Sequence, residues 1–473
     1  MRLLDLRSAR VVPDALVIAV YAAIVFAAVG VTPFWLDEIL QLGATRHRSW
    51  AELLFWVRVN PGASPLPYFI QEAVIRILGF STAAARLPAA LCSILSGLVF
   101  LRICRRYQPG SAWLATALFL AVPLQFRYAL EARGYSQGLL FSLLALLLFL
   151  RLCEAPSAKR AIAYDACLVL GLYSHPFTLF PALSLSLWGA RRLSGVRWRR
   201  FCLLPLAAAA LTFLPWWIAQ HRVLVEKGSM DSVFFSTQQV GPLTLLHDLA
   251  GSGYFTAVPL LAFAAWAWVS GAARKTAPAT GFGMAICCGG PIAADALFNY
   301  FFAPRQFLFA MPYLVLAAAS GASALWKSKR QLPVALGMAL FFTAAAVAGL
   351  RLATRPKDDL YAAASVARSH LHPGACLEVV PRSHVRYFAF FYPELESRIC
   401  VPDTVPPRIV AVVSPYSETG SGATATPSRP NYAVTRDVTL GSARIVVYDV
   451  KPVRPQDSYS GRYSITARLM SSF

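Results

Sequence analysis

The chain has 473 residues, 57% of them hydrophobic and only 14% charged, with a formal net charge of +21 and a positive mean hydropathy. That balance excludes an ordinary soluble globular protein and predicts a multi-span α-helical membrane protein. It also argues against nucleic acid as a partner. The basic residues cluster in short segments between apolar runs, where they orient a chain in a lipid bilayer.

The N-terminal MRLLDLRSAR leads into an apolar run reaching about Trp35, with no small-residue cleavage site, and is read as a retained first span rather than a signal peptide. Two adjacent carboxylates, Asp37 and Glu38, follow that run directly. A capping-box pattern, Ser49 to Glu52, then opens a helix bearing Trp50 and Trp56 that should lie along the membrane surface. PLPYFIQEAVIRILG, residues 65–79, is read the same way, as an interfacial helix. Further apolar segments run roughly over 84–101, 111–126, 136–152, 161–173, 177–190, 201–219, 249–271, 280–298, 306–325 and 332–350, which with the first gives about 11 transmembrane helices.

Charge fixes the orientation expected of these spans. With 65–79 interfacial, one side collects nearly twice as many Lys and Arg as the other, including the dense RRLSGVRWRR stretch, so the N-terminus is expected in the cytoplasm. The other face then gathers Asp37, Glu38, Glu131, Arg133, Tyr135, His175, His221, His247, Asp248 and Arg305 from distant parts of the chain. Polar groups converging on one face of a membrane protein point to a site.

From about Leu352 the composition changes. Helix-like DDLYAAASVARSHL, strand-like CLEVV, helix-like SHVRYFAFFY, strand-like RIVAVVS, a Gly/Ser/Thr/Pro-rich loop and strand-like ARIVVYDV predict a small soluble α/β domain over 352–473, outside the membrane, after a membrane domain over 1–351. Seven cysteines lie in or beside apolar segments without metal or redox spacing; Cys376 and Cys400 fall in the polar part and can form a disulfide if that part is outside the cell.

The order of motifs resembles the GT-C superfamily of polyprenyl-phosphate-sugar-dependent glycosyltransferases, which includes the protein O-mannosyltransferases and the lipid A aminoarabinose transferases. FWLDEILQLGATRHRSWAELLFW is similar to the family's first outer loop with its Asp-Glu pair. SPLPYFIQEAVIRILGFSTAAARLPAALCSILSG is similar to its "PPLYY…LFG…RLPSAL" passage, and FRYALEARGYSQG to its "EARxY". LGLYSHPFTLF, YFFAPRQFLFAMPYLVLAAASG and RPKDDLYAAASVARSHLHPGACLEVV resemble later family segments. Two departures stand out: Ala63-Ser64-Pro65 replaces the His that many relatives carry before Pro-Pro-Leu, and Arg305-Gln306 stands where Arg-Tyr is common.

The resemblance implies a GT-C fold and transfer of a sugar from a polyprenyl-phosphate donor to a glycan, lipid or protein acceptor, with inversion. In that reading Asp37 is the catalytic base and Glu38 positions its loop. Arg133 and Arg305 neutralise the leaving phosphate, since a guanidinium fork stays charged and grips oxygens bidentately. Glu131 orients Arg133 or the acceptor, and Tyr135 and His175 bind phosphate or sugar. Each has a plainer alternative: Arg133 as a structural ion pair with Glu131, Tyr135 as an interfacial anchor, His175 as a packed loop residue, Arg305 as a headgroup contact. No cofactor is expected, a divalent metal being open without a motif that indicates one; wide separation argues against a metal at His221, His247 and Asp248. The Ala- and Arg-rich composition suggests a bacterial inner membrane, with the active face and C-terminal domain periplasmic. The competing function is a transporter or flippase, for which Asp165 and Asp295, in or near apolar runs, would be the charges to follow.

Overall fold

The computed structural model describes residues 2–45, 49–60, 63–226, 241–274, 276–298, 303–380, 382–401, 406–413, 431–440 and 443–451. The chain divides into two compact units, Met1–Lys357 and Asp358–Phe473.

The first unit is helical. In chain order its principal helices are α1 (Arg2–Ala28), α2 (Leu36–Thr45), α3 (Trp50–Val59), α4 (Pro65–Leu78), α5 (Thr82–Tyr107), α6 (Ala112–Ala121), α7 (Pro123–Ala129), α8 (Tyr135–Glu154), α9 (Ala158–Ser174), α10 (Leu179–Arg192), α11 (Leu204–Glu226), α12 (Pro242–Asp248), α13 (Tyr254–Val269), α14 (Ala277–Phe298), α15 (Met311–Lys327) and α16 (Gln331–Thr354). Among the described residues, five helical stretches are long and apolar enough to cross a membrane: Thr82–Tyr107, Tyr135–Glu154, Gly195–Gln220, Pro278–Leu297 and Gln331–Thr354. Many of their large apolar side chains face outward, as a lipid-solvated bundle requires, while α8 and α15 are packed mostly inside.

Close backbone approach builds that interior. A Cβ on Gly321 of α15 would lie 1.8 Å from the carbonyl oxygen of Phe263 on α13, so only glycine lets these two helices meet where they do.

Local chemistry explains the short elements. The expected single span over 111–126 is instead two helices, because Pro123 cannot continue α6 and starts α7 afresh. The amide of Leu124, next to the break, donates to the carbonyl of Ala250. The Ser49–Glu52 capping box forms as the sequence foretells, and α3 leaves Trp50, Leu54, Phe55 and Trp56 exposed. Helix α4 has 14 residues, a length of about 21 Å. That is shorter than a bilayer core; the helix buries Tyr68, Gln71, Glu72 and Ile75 and packs on α5 and α9.

The second unit carries a four-stranded sheet in the order β1-β2-β4-β3, with β1 (Ala375–Val380), β2 (Arg408–Val413), β3 (Tyr432–Leu440) and β4 (Ala443–Val450). β1 and β2 are parallel and the other pairs antiparallel. Helix α17 (Leu360–His370) lies on β2 and β4 through buried Leu360, Ala363, Ala364 and Ala367. The short helix α18 (Val385–Ala389) falls within the expected SHVRYFAFFY segment. The sequence reading missed β3, a largely exposed edge strand whose apolar alternation is too weak to announce it. Cys376 and Cys400 form a disulfide. The Gly/Ser/Thr/Pro-rich loop lies outside the described residues.

Candidate active site

The two neighbouring acids occupy the first turn of α2 and face different surroundings. Helix α2 starts because the carbonyl of Trp35 accepts from the amides of Glu38 and Ile39, while the Glu38 carboxylate reaches back to the Trp35 amide at 3.3 Å. Acids suit this position, where amides are unmet and the helix dipole is positive. Glu38 is completely buried. Arg86 of α5 grips it with two bonds of 2.8 and 2.7 Å, and the amide of Ala132 donates to it at 2.7 Å. Arg86 also donates to the carbonyls of Val29, Thr32 and Pro33, tying the loop before α2 to the same point. Every donor around Glu38 therefore serves to join three segments. Its neighbour Asp37 keeps its carboxylate 20% exposed.

Around Asp37 the distant arginines meet. Arg305, in the 3-10 turn Pro304–Phe309, places Nη1 2.9 Å from Asp37 Oδ2. Arg133 donates from Nη1 to the backbone carbonyl of Asp37 at 3.3 Å. Burial works against the charge on Arg133, but Asp37 before all other neighbours outweighs it and raises the guanidinium's pKa; at Arg305 the neighbouring Tyr135 and Asp37 do the same. Both remain cations.

Arg133 stands in a tight turn, where its amide donates to the carbonyl of Glu131 at 2.7 Å and Ala132 between them is the residue pinned to Glu38. Gly134 follows because a Cβ there would lie 2.5 Å from both Pro67 of α4 and the carbonyl of Ser174 at the end of α9. A small cleft adjoins Arg133, lined also by Gln41, Gln71, Ala132 and Gln137.

Aromatic groups floor the site. Tyr135, the first residue of α8, has Tyr128 at 4.4 Å and His175 at 4.5 Å between ring centroids, and the guanidinium of Arg305 lies 5.9 Å over its ring. His175 ends α9. Burial, then the charges of Arg133 and Arg305, push its pKa down to about 3, and its Nδ1 accepts from the Phe177 amide at 3.2 Å. It is thus a neutral imidazole whose Nε2 carries the proton and can donate.

Glu131 is buried too. One oxygen is 3.1 Å from Lys357 Nζ; burial raises this acid's pKa, with Lys357 opposing. All seven expected residues, Asp37, Glu38, Glu131, Arg133, Tyr135, His175 and Arg305, thus lie in one continuous cluster. Glu38 stands apart in being sealed within it. His247 and Asp248 instead pair with each other at 2.7 Å. The side chain of His221 lies outside the described residues.

Sequence reasoning left out Arg86, Lys357 and Trp35. Arg86 had a signal, the RLPAAL match at the start of α5, but an arginine at a span end reads equally well as an orienting charge. The Ala63-Ser64 departure is a packed loop here: Trp216 donates its indole N–H to the Ala63 carbonyl at 2.8 Å.

Residues 61–218 match the sequence model of the dolichyl-phosphate-mannose-protein mannosyltransferase family, a segment that holds Glu131, Arg133, Tyr135 and His175. Among solved structures, the chain is similar to ArnT from Cupriavidus metallidurans in its apo state, with TM-score 0.57 and 17% identity over 92% of this chain and 97% of that one. It is similar to the same protein bound to undecaprenyl phosphate, with TM-score 0.57 and 15% identity over 92% and 98%. No curated protein sequence matches the chain. These findings agree with the resemblance read from the sequence: the chain has the fold of ArnT, with several helices long and apolar enough to cross a membrane among its described residues, and residues 61–218 are similar to the mannosyltransferase family.

Proposed function

We propose that this chain moves a sugar from a polyprenyl-phosphate donor, with inversion, to an envelope acceptor, whether lipid, polysaccharide or protein, on the outer face of a bacterial inner membrane. The observation that carries the reading is the meeting of Asp37 with Arg305 and Arg133, brought together from three remote segments.

The chemistry follows from those groups. The acceptor hydroxyl is a weak nucleophile, and Asp37 takes its proton as the oxygen bonds to the anomeric carbon. The bond from that carbon to the phosphate oxygen breaks at the same time, leaving its electron pair on the polyprenyl phosphate. Arg133 and Arg305 neutralise the charge that develops there. In the free protein Arg305 is bound to Asp37, so arrival of the donor phosphate draws Arg305 away and frees the base. Neutral His175 donates from Nε2 to a phosphate or sugar oxygen, and Glu38 with Arg86 holds the base loop against the turn bearing Arg133.

Attack from the face opposite the leaving phosphate inverts the anomeric centre. The lipid tail keeps the donor in the bilayer, which suits a site made of helix ends and connecting turns; Asp165 in α9 and Asp295 in α14, the charges a transporter would use within its spans, make none of the contacts that gather at Asp37. The disulfide of the second unit supports an oxidising, periplasmic side for that unit, as the distribution of basic residues supports a cytoplasmic N-terminus.

The test supplies purified protein in liposomes with undecaprenyl phosphate carrying a radiolabelled sugar and an envelope extract from a strain lacking the gene. Label passing into an envelope component with release of undecaprenyl phosphate is expected. Labelled lipid that crosses the bilayer with its sugar still attached would point to a transporter instead.

A further inference from the structure

Two polar atoms beside the reacting centre are left over by the transfer chemistry. Glu131 Oε2 and the indole Nε1 of Trp35 are both buried without a hydrogen-bond partner among the described residues. Lys357 touches both side chains: its Nζ is 3.1 Å from the other oxygen of Glu131 and 3.0 Å from the centroid of the Trp35 ring. An ammonium there sits on the electron-rich face of the indole.

That same combination of a flat aromatic face, an unmet acceptor and an unmet donor is what a saccharide needs. The weakly positive C–H face of a sugar ring stacks on the negative face of an aromatic, and its hydroxyls donate to a carboxylate and accept from an N–H. Buried polar groups are costly to leave unmade in any protein, so a saccharide that meets these two gains by it. The position suits the donor, because Glu131 and Arg133 share one tight turn closed by a 2.7 Å backbone bond. A sugar joined directly to a phosphate held by Arg133 has only one ring's length in which to lie.

We propose that the face of Trp35 and the carboxylate of Glu131 form the subsite for the sugar ring of the lipid-linked donor, which Lys357 occupies as a removable placeholder until the donor arrives. This deepens the transferase reading and rests on it. Lys357 can leave: it is the last residue of its unit, its side chain is 37% exposed, and its flexible stem lets the ammonium withdraw into water. With Lys357 gone, both oxygens of Glu131 are open to sugar hydroxyls.

Equilibrium binding to the full chain in detergent, in the absence of acceptor, tests the subsite. The probes are undecaprenyl phosphate itself and its mannosyl, glucosyl and arabinosyl forms, the tightest of the three being carried forward. Trp35→Ala should weaken the sugar-bearing lipid about 10-fold and leave the bare lipid within about 2-fold, while Trp35→Phe, which keeps a ring, restores most of the loss. Lys357→Met should tighten the sugar-bearing lipid. Equal weakening of both lipids by Trp35→Ala, weaker binding of the sugar-bearing lipid to Lys357→Met, or no preference of the unmodified chain for any sugar-bearing form would each overturn the proposal. If the unmodified chain does not bind the bare lipid at all, the transferase reading itself is what fails.

Discussion

Adjacent carboxylates with opposite roles make Glu38→Gln an informative substitution. The side chains of Glu38 and Arg86 are 0% and 2% exposed, and all the acceptor capacity of Glu38 faces N–H donors: two from Arg86 and the amides of Ala132 and Trp35. Glutamine keeps the shape but turns one acceptor into an NH₂ group aimed at one of those donors, and it leaves the buried Arg86 without a counter-charge. Breaking a buried pair by removing one partner costs about 3–5 kcal/mol, much of it the uncompensated charge that remains. Arg86 keeps its bonds to the carbonyls of Val29, Thr32 and Pro33, which places the expected loss near the lower end, about 3 kcal/mol. Thermal unfolding in detergent, read by intrinsic fluorescence beside Asp37→Asn, is the assay. Glu38→Gln should melt well below the unmodified protein, whereas Asp37→Asn, with its carboxylate part-exposed, should melt close to it. A Glu38→Gln protein of undiminished stability that has lost all turnover would refute the division of labour and place Glu38 in the chemistry.

Other consequences can be checked separately. His175, held neutral by burial and two arginines, should contribute no limb near pH 6.5 to the pH dependence of turnover; a limb there that His175→Gln abolishes would contradict it. Because the unfolded chain takes up that proton near pH 6.5 and the folded chain only near pH 3, His175 should make the protein less stable as pH falls between about those values, and His175→Gln should flatten that part of the stability profile. Cys376→Ser opens a loop closed across a sequence separation of 24 and should destabilise the second unit by about 3 kcal/mol, measurable as faster proteolysis of that unit. Gly321→Ala would drive a methyl group into the Phe263 carbonyl and should sharply lower the yield of folded protein; normal yield and melting would show that α13 and α15 are less closely packed than described.

Much of the site was legible because its chemistry is written in residue types that apolar spans otherwise avoid. Asp37, Arg133 and Arg305 stand out at the ends of hydrophobic runs, where charge is costly unless it is used. The groups that organise them were harder to see. Arg86 begins α5 within an Ala-rich stretch, and an arginine at a span end reads equally well as an orienting charge; only folding shows its six hydrogen bonds, all directed at the loop before α2 and at Glu38. Lys357 lies far along the chain from every acid of the cluster, and no local pattern links it to Glu131, 226 positions away. Periodicity likewise located most helices but passed over the break at Pro123, where one apolar run hides two helices, and the exposed edge strand β3, which lacks the alternation that betrays a buried strand.

The most direct measurement is single-turnover sugar transfer by Asp37→Asn, with binding of undecaprenyl phosphate measured on the same preparation. A folded protein that still binds the lipid through Arg133 and Arg305 yet transfers no sugar is the expected result. Transfer at the unmodified rate would show that another group accepts the proton and would contradict it.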